Sequence, residues 1–540
     1  MEPGGSAERA EARRRVGGRP LSAGPNYGVR MPRVRLTEFL AALSLTTDLA
    51  TGLPFEKGLR TCVLATELAG LVGFDDRDRA AVFHSALLRS IGCTAHAPEN
   101  AALFGNDVAF EASLRRMDPG DPAVFAEQLE QFGGWEPARR GELARRFIAV
   151  APVEGVRASR AGCEVSRTLG GHLGMPQTVI DALDDVYERW DGRGLPGAHS
   201  GEQIPPVMRV VHVAEQAVLA AADGGPTAAA TEVARRAGGQ LDPDLAALFT
   251  GSAGALLAAL DTPDPFAAAL AAEPAHAAAV GDTEIERLSA ALAAVVDLKG
   301  RYLLGHSSHV AVVADAAARS AGLDAAERQT LRIAAQMHDL GRVVVSSEIW
   351  DRPGPLGPAD VERVQLHPYW TDRVLRRCPG LASLADVAAG HHERCDGSGY
   401  HRRVGSTDLS VASRLLAAAD VFAARTEIRP QRPAASASEA AALLEEETRA
   451  GRLDGDACAA VIAGAGLPVR RHPWPCDLTD REVQVLRLAA RGLSNRAIAA
   501  ELRVSERTVG HHLAHVFDKT GLRTRAGAAV FAILHGLVPG

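Results

Sequence analysis

Between positions 306 and 420 the chain sets imidazoles and carboxylates on or beside apolar, helix-periodic segments. His306 lies in GHSSHV, His338 and Asp339 in QMHDLGR, His367 in VQLHPYW, His391 and His392 in AGHHERCDG, and Asp420 in LAAADVFAAR. Buried without partners, each such group costs several kcal/mol, and a shared hard or borderline cation is the simplest remedy for all of them. Imidazole with carboxylate and no thiolate favours Fe or Mn, with Zn also compatible, over an iron–sulfur or structural zinc site. Asp339, adjacent to His338, can bridge two cations. A metal pair lowers the pKa of bound water and readies hydroxide for in-line attack on phosphorus. An isolated H-D dipeptide carries little meaning; a whole set gathered in one stretch of chain carries much more.

Helices must bring these residues together, and the sequence supplies them. LRTCVLATELAGLV and RAAVFHSALLRSIG repeat apolar residues at i, i+3 and i+4, as does TEIERLSAALAAVVDLKG further on. Self-comparison reveals an internal repeat. VYERWDGRG at 186 matches HHERCDGSG at 391, RVVHVAEQAV at 209 matches RLLAAADVFA at 414, and RRAGGQLDPDLAALF at 235 matches TRAGRLDGDACAAVI at 448. GLRTCV at 58 aligns with GHSSHV at 305. The first copy carries an extra segment after position 97 and has lost the histidines. On this alignment Leu59 stands for His306, Arg89 and Ser90 for His338 and Asp339, and Gly162 approximately for His367. Val186 and Tyr187 stand for the histidine pair, and Glu215 for Asp420. The first copy is either a scaffold kept for folding or dimerisation, or a pseudo-domain that grips a nucleotide with its retained loop.

The expected organisation is a disordered segment at 1–33, a degenerate first copy at 34–250, an Ala/Pro-rich connector at 251–284, the histidine-bearing copy at 285–466, a Pro/Arg-rich linker at 467–476, and a compact helical unit at 477–540. The composition, 46% hydrophobic and 23% charged, is globular, and the net charge of −7 gives no global basic footprint, so any nucleic-acid contact must be local. The seven cysteines are scattered without C-x-x-C and read as reduced thiols rather than a disulfide frame or zinc knuckle. No apolar run approaches a membrane span and no signal-peptide core opens the chain. A cytoplasmic location with no membrane partner is expected.

The stretch 295–465 resembles the HD-GYP phosphodiesterases, a branch of the HD phosphohydrolases. The resemblance implies an all-α fold, two or three Fe or Mn ions, and hydrolysis of a cyclic dinucleotide such as cyclic di-GMP. It places His306, His338, Asp339, His367, His391, His392 and Asp420 at metal-ligand positions, and WDRPGPL at 350 is similar to the loop that follows H-D in that family. Asp339 and Arg342 become the catalytic candidates, and Arg342, Asp396, Gly397, Gly399 and Tyr400 the substrate-binding ones. Three residues depart from the pattern. Arg342 replaces Lys and can clamp a phosphate but not donate a proton near neutral pH. Gly399-Tyr400-His401 replaces G-Y-P. Tyr302 stands where some relatives place a Glu for a third metal, which favours two ions.

Residues 477–540 parse into four helices, with Asp477, Thr479 and Glu482 at the first start, Ser494 capping the second and Ser505 the third. Two short helices joined by a tight turn make a helix-turn-helix, and basic residues outnumber acidic ones here. The region closely resembles the LuxR-type DNA-binding domain. That resemblance puts Glu506–Thr520 in the major groove, with Ser505, Arg507, Thr508, Gly510, His511, His512, Ala514 and Lys519 as DNA contacts. Thr508 and Lys519 would meet the backbone, while Gly510, His511 and Ala514 would face base edges. Val509, Leu513, Val516 and Ile498 are read as core, and AGAAVFAILHGL as the contact of a homodimer. The fold class is therefore all-α: tandem HD-type bundles and a LuxR-type helix-turn-helix. The expected function is a promoter-binding regulator with a metal-dependent phosphodiesterase domain. The alternative is a transcription factor whose metal-containing domain senses a nucleotide without turnover.

Overall fold

The computed structural model describes residues 34–118, 125, 129, 137–274, 280–469, 474–490, 492–535 and 537. The N-terminal segment 1–33 expected to be disordered lies outside the described residues, as do 275–279 of the connector and 470–473 of the linker. The described residues are helical, with isolated bridges Ala237–Leu241 and Arg429–Arg432 and no strand. No helix among them is long and apolar enough to cross a membrane.

The repeat holds in three dimensions. Helices Leu36–Ala50, Lys57–Val72 and Asp76–Leu88 of the first copy correspond to Asp282–Asp297, His306–Ser320 and Ala325–Met337 of the second. The correspondence extends to single atoms. Asp48 Oδ2 accepts Gly58 N at 2.9 Å, as Asp297 Oδ2 accepts Ser307 N at 3.1 Å. The residue before each following helix is left-handed: Glu56 at φ 70° and Gly305 at φ 78°. This register pairs Lys57, not Leu59, with His306. The alignment through GLRTCV slipped because it matched the glycines of two segments, whereas the helix start and its carboxylate cap fix the true register.

Alanine- and leucine-rich faces pack both copies and the connector around one continuous core running from Val34 to Ile462. The expected connector is thus part of the body: Phe266 and Ala269 of helix Pro265–Ala271 are buried, and Asp264 accepts Arg377 Nη2 at 2.7 Å. The extra segment of the first copy forms helices Ala97–Phe104 and Asp107–Leu114, whose Phe104 and Phe110 stack at 4.5 Å over a separate apolar cluster with Phe147. The C-terminal unit, helices Asp480–Ala490, Asn495–Glu501, Glu506–Thr520 and Arg525–Leu534, has its own core. It touches the second copy through Arg487, whose guanidinium donates to the Thr448 and Arg449 carbonyls at the end of helix Ala437–Arg449.

After Met337 the chain leaves the helix through His338 and Asp339 and tightens into the 3₁₀ turn Leu340–Val344. That turn lies against helix His367–Arg377 so closely that a Cβ on Gly341 would fall 2.0 Å from His367 O and 2.7 Å from Thr371 N. Gly341 N donates to Thr371 Oγ1 at 3.0 Å, and Thr371 Oγ1 donates to His338 O at the same distance. The glycine of H-D-L-G-R therefore sets the separation between two histidine-bearing elements. Gly341→Ala should cost about 1–3 kcal/mol and lower the thermal midpoint by several degrees; an unchanged midpoint by calorimetry would contradict this close approach.

Candidate metal centre and nucleic-acid interface

Five elements deliver the candidate ligands of the second copy. His306 opens its helix, His338 and Asp339 end theirs, His367 opens another, His391 and His392 follow helix Ala385–Ala388, and Asp420 projects from inside Val411–Thr426. His306, His338, Asp339, His367 and His391 are at most 1% exposed and Asp420 4%, while His392 is half-buried. Nδ1 of His338, His367 and His391 donates to the carbonyls of Ala335, Val364 and Ala388 at 2.6, 2.6 and 2.7 Å. A carbonyl can only accept, so these bonds fix the tautomer and turn each Nε2 lone pair inward.

The inward atoms gather around one carboxylate. Asp339 Oδ2 lies 3.0 Å from His338 Nε2 and 3.6 Å from His306 Nε2; Oδ1 lies 3.3 Å from His367 Nε2 and 3.6 Å from His391 Nε2. Ligand atoms of His306, His338 and Asp339 form one group compact enough for a cation, and those of His367, His391 and His392 form another. Asp420 Oδ1 stands 3.3 Å from His306 Nε2 and 3.8 Å from His338 Nε2. The structure brings all the sequence-derived ligand candidates into this centre. His367 Nε2 and His391 Nε2 face each other at 3.0 Å. With both Nδ1 protons committed to carbonyls, neutral rings would oppose two lone pairs there, and a cation resolves the conflict. His338 Nε2 and Asp339 Oδ1 are likewise buried without a hydrogen-bond partner. The donor set therefore fits divalent cations.

Electrostatics prepare the same arrangement. Burial drives the His391 and His392 imidazoles well below their ordinary range, keeping the lone pairs available. Burial works to raise Asp339, but the Arg342 guanidinium and the His338 imidazole outweigh it and hold the carboxyl well below the usual range. Asp420 is held low in the same way, against burial, by its hydrogen bond to His306 and by the imidazoles of His392 and His338. His306 is the exception: lowered by burial but raised more by Asp420 and Glu427, it stands at about 9 and carries a proton that a bound ion would displace.

Arg342 Nη2 sits 2.7 Å from Asp339 Oδ2, and its guanidinium lies 4.9 Å from the Trp350 ring centre. Its Nε and Nη1 are buried without acceptors, donors that a phosphate oxygen would match. Tyr400 stacks on His392 at 4.7 Å, which places it at the centre. The other loop candidates build the loop itself. Asp396 Oδ1 accepts Ser398 N and Oγ at 3.0 and 2.7 Å, Gly397 takes φ 78°, and a Cβ on Gly399 would lie 2.5 Å from Arg394 N. Glu393 accepts Arg402 N and Val404 N, as Glu188 in the first copy accepts Gly197 N and Ala198 N. The shared E-R-x-D-G-x-G is thus a loop-closing device, which explains why both copies keep it while only one keeps the histidines.

Sequence reasoning missed two supports. Glu427, just past its helix, accepts from Nδ1 of His306 and of His309 at 2.8 Å each and pairs with Arg429; a single acid after a helix carries no distinguishing signal. Asp107, on the extra segment of the first copy, accepts Ser346 Oγ and Ser347 N at 2.8 Å each and pairs with buried Lys299. It thereby caps helix Ser347–Trp350, whose Trp350 Nε1 donates to Arg342 O at 3.2 Å and whose ring packs on the Arg342 guanidinium. No local pattern announces a contact spanning so much sequence.

In the C-terminal unit, Ser505 caps helix Glu506–Thr520 by accepting Thr508 N at 3.0 Å, and its Oγ shares a hydrogen bond with Thr508 Oγ1. Val509, Leu513, Val516 and Ile498 are buried, as the pattern required. Arg507, His511 and Ala514 are exposed and Thr508, Gly510 and His512 half-buried, on the outer side of the helix. Lys519 has partners within the unit. Its Nζ donates to Glu482 Oε2 at 2.7 Å and Asp477 O at 2.9 Å, so it ties two helices of its own unit together.

Comparison with known proteins fits this anatomy. Residues 290–457 match the family described as HD domain, and residues 477–532 match the family of bacterial regulatory proteins, luxR family. The chain thus carries an HD domain followed by a C-terminal LuxR-type DNA-binding domain. It is 28% identical over 421 residues to the 3'3'-cGAMP-specific phosphodiesterase 3 of Vibrio cholerae, covering 76% of this chain and 90% of that protein. It is 31% identical over 150 residues to a cyclic di-GMP phosphodiesterase of Thermotoga maritima, covering 27% of this chain and 40% of that one. The crystal structure of a cyclic GMP-AMP-specific phosphodiesterase from V. cholerae superposes with a TM-score of 0.58 at 23% identity, covering 81% of this chain and 98% of the other, so the tandem fold is shared.

Breaking the Asp107–Lys299 pair from one side strands a buried charge, at about 3–5 kcal/mol. Asp107→Asn should therefore lower the thermal midpoint, and adding Lys299→Met should recover most of that loss. A single variant as stable as the wild type would show that the two copies are not braced here.

Proposed function

We propose that the second copy is a metal-dependent phosphodiesterase of cyclic dinucleotides, coupled in one chain to a promoter-binding unit. The observation that carries this reading is the single carboxylate, Asp339, with its two oxygens turned to two separate histidine groups. His306, His338, Asp339 and Asp420 would hold one divalent ion and His367, His391, His392 and Asp339 the other, Fe or Mn being favoured by the imidazole–carboxylate set. Such a pair supplies an activated water and neutralises charge developing on phosphorus. The chain's own residues do the rest. Nδ1 bonds to carbonyls hold the ligand rings in place, Arg342 presents Nε and Nη1 to a phosphate oxygen, and Tyr400 offers a flat face beside His392 for a base or ribose. Because a guanidinium keeps its proton, Arg342 stabilises charge and donates no proton to the leaving oxygen.

The relatives' substrates, 3'3'-cGAMP and cyclic di-GMP, define the class proposed for this chain. The helix-turn-helix engages promoter DNA as a homodimer, for which the exposed Val530 on helix Arg525–Leu534 is an available contact. These activities place the protein in the cytoplasm. The boundaries proposed are 34–250 and 285–466 for the two copies and 477–540 for the reader.

Full-length protein loaded with Mn or Fe should hydrolyse 3'3'-cGAMP or cyclic di-GMP. His338→Ala and Asp339→Asn should lose bound metal and reduce turnover by roughly a hundredfold or more. Metal-loaded protein that binds either nucleotide without cleaving it would convert the reading to a sensor, and hydrolysis surviving both substitutions would refute the site. For the reader, Arg507→Ala should weaken promoter binding about equally across sequences and reduce the salt slope by about 1. Lys519→Ala should instead lower stability; unchanged affinity and slope in Arg507→Ala would exclude that phosphate contact.

A further inference from the structure

The remnant centre of the first copy has been rebuilt around cations from the protein itself. Lys57 stands where His306 does, Arg89 where His338 does, and Glu215 where Asp420 does. Lys57 Nζ reaches Glu215 Oε1 at 3.0 Å and Arg89 Nη2 reaches Glu215 Oε2 at 2.5 Å. An ammonium and a guanidinium thus occupy the positions of two metal-binding imidazoles, and the remaining buried carboxylate answers them.

A third cation shares the field of these acids, which holds its charge against burial, but has no acceptor for its N–H groups. Arg115, just beyond helix Asp107–Leu114, is 8% exposed, and its guanidinium lies 5.2 Å from the Tyr187 ring centre. Its nearest acid is Glu111, with Oε2 3.9 Å from Arg115 Nε, and the other Glu111 oxygen already accepts from Asn100. Asp48, the other acid at the centre, faces Lys57 at 3.8 Å and is pushed by burial up to about 6. Nε, Nη1 and Nη2 of Arg115 and Nε and Nη1 of Arg89 are all buried without an acceptor. Buried donors in that number are costly unless something accepts from them, and guanidinium cannot shed its proton.

Position adds to the count. The repeat register sets Cys93 where the second copy has Arg342, and Arg115 lies near enough to oppose the upward push of burial on the Cys93 thiol. A guanidinium is therefore restored to that corner from a different element. Tyr187, in place of His392, is half-buried and reaches solvent beside it. Arg89 and Arg115 are near enough to oppose one another's charge, and two such planar donor forks match an oxyanion with several acceptor oxygens better than a monatomic anion.

We propose that the remnant centre binds a phosphate group, free or as the phosphodiester of a nucleotide, between Arg89 and Arg115 with Tyr187 at its entrance. The helix that Arg115 follows begins at Asp107, which makes the brace on Ser346 and Ser347 of the second copy. The proposal is independent of hydrolysis by that copy.

The test uses the full chain with its metals removed by chelator, so that the histidine centre contributes no metal-bound phosphate. Equilibrium dialysis against labelled inorganic phosphate should show one phosphate retained per chain, and the thermal midpoint should rise with phosphate concentration. Arg115→Met should abolish both effects, and a cooperative phosphate-free transition in that variant shows that the chain still folds. Arg89→Lys, which keeps the charge but not the fork, should weaken retention at least tenfold. Cyclic di-GMP as competitor separates the sources: displacement of the label shows that a nucleotide phosphodiester enters, and persistence of the label assigns the site to free phosphate. Absence of retained phosphate in the wild type, or full retention in Arg115→Met, would overturn the proposal.

Discussion

One carboxylate organises the second copy. Asp339 presents one oxygen to His306 and His338 and the other to His367 and His391, and Arg342 leans on the first of these oxygens. Around it, imidazoles with fixed tautomers and buried acids held ionised would repel or strand one another in an apolar interior. Divalent cations, which these donors fit, would turn that liability into a centre. The local architecture follows from it: the helix must end at Met337 so that His338 and Asp339 can turn inward, and Gly341 must lack a side chain so that His367 can approach.

The two copies answer the same burial problem in opposite ways. The first keeps the helices, the carboxylate-capped turn and the glutamate-closed loop, but supplies its positive charge from Lys57 and Arg89. Its extra segment reaches across to cap helix Ser347–Trp350 of the second copy through Asp107, and the connector packs into the common core. The first copy is therefore a structural wall of the second, and its remnant centre lies one short helix away from the brace at Ser346 and Ser347. The LuxR-type unit, by contrast, has its own core and meets this body through Arg487 at the end of helix Ala437–Arg449.

Local signals made much of this legible. Helical periodicity gave the all-α class, and spacing of histidines against apolar runs gave the centre, because each ligand sits at a helix end or on an inward face. Caps at Ser494 and Ser505 and the buried positions Val509, Leu513 and Val516 follow from pattern alone. What escaped was non-local. Lys57 was misaligned because glycine identity outweighed the helix start. Asp396 looked available for a ligand but bonds to Ser398. Lys519 looked available for DNA but bonds to Glu482. Asp107, Glu427 and Arg115 acquire meaning only from partners brought up by folding.

Electron paramagnetic resonance of the full chain loaded with Mn tests the central claim most directly, because magnetic exchange requires two ions joined by a bridging group. The account predicts the multiline signal of a coupled pair, replaced by uncoupled or absent Mn signals in Asp339→Asn. A wild-type spectrum of isolated ions only, or coupling that survives Asp339→Asn, would contradict a centre built on a shared carboxylate.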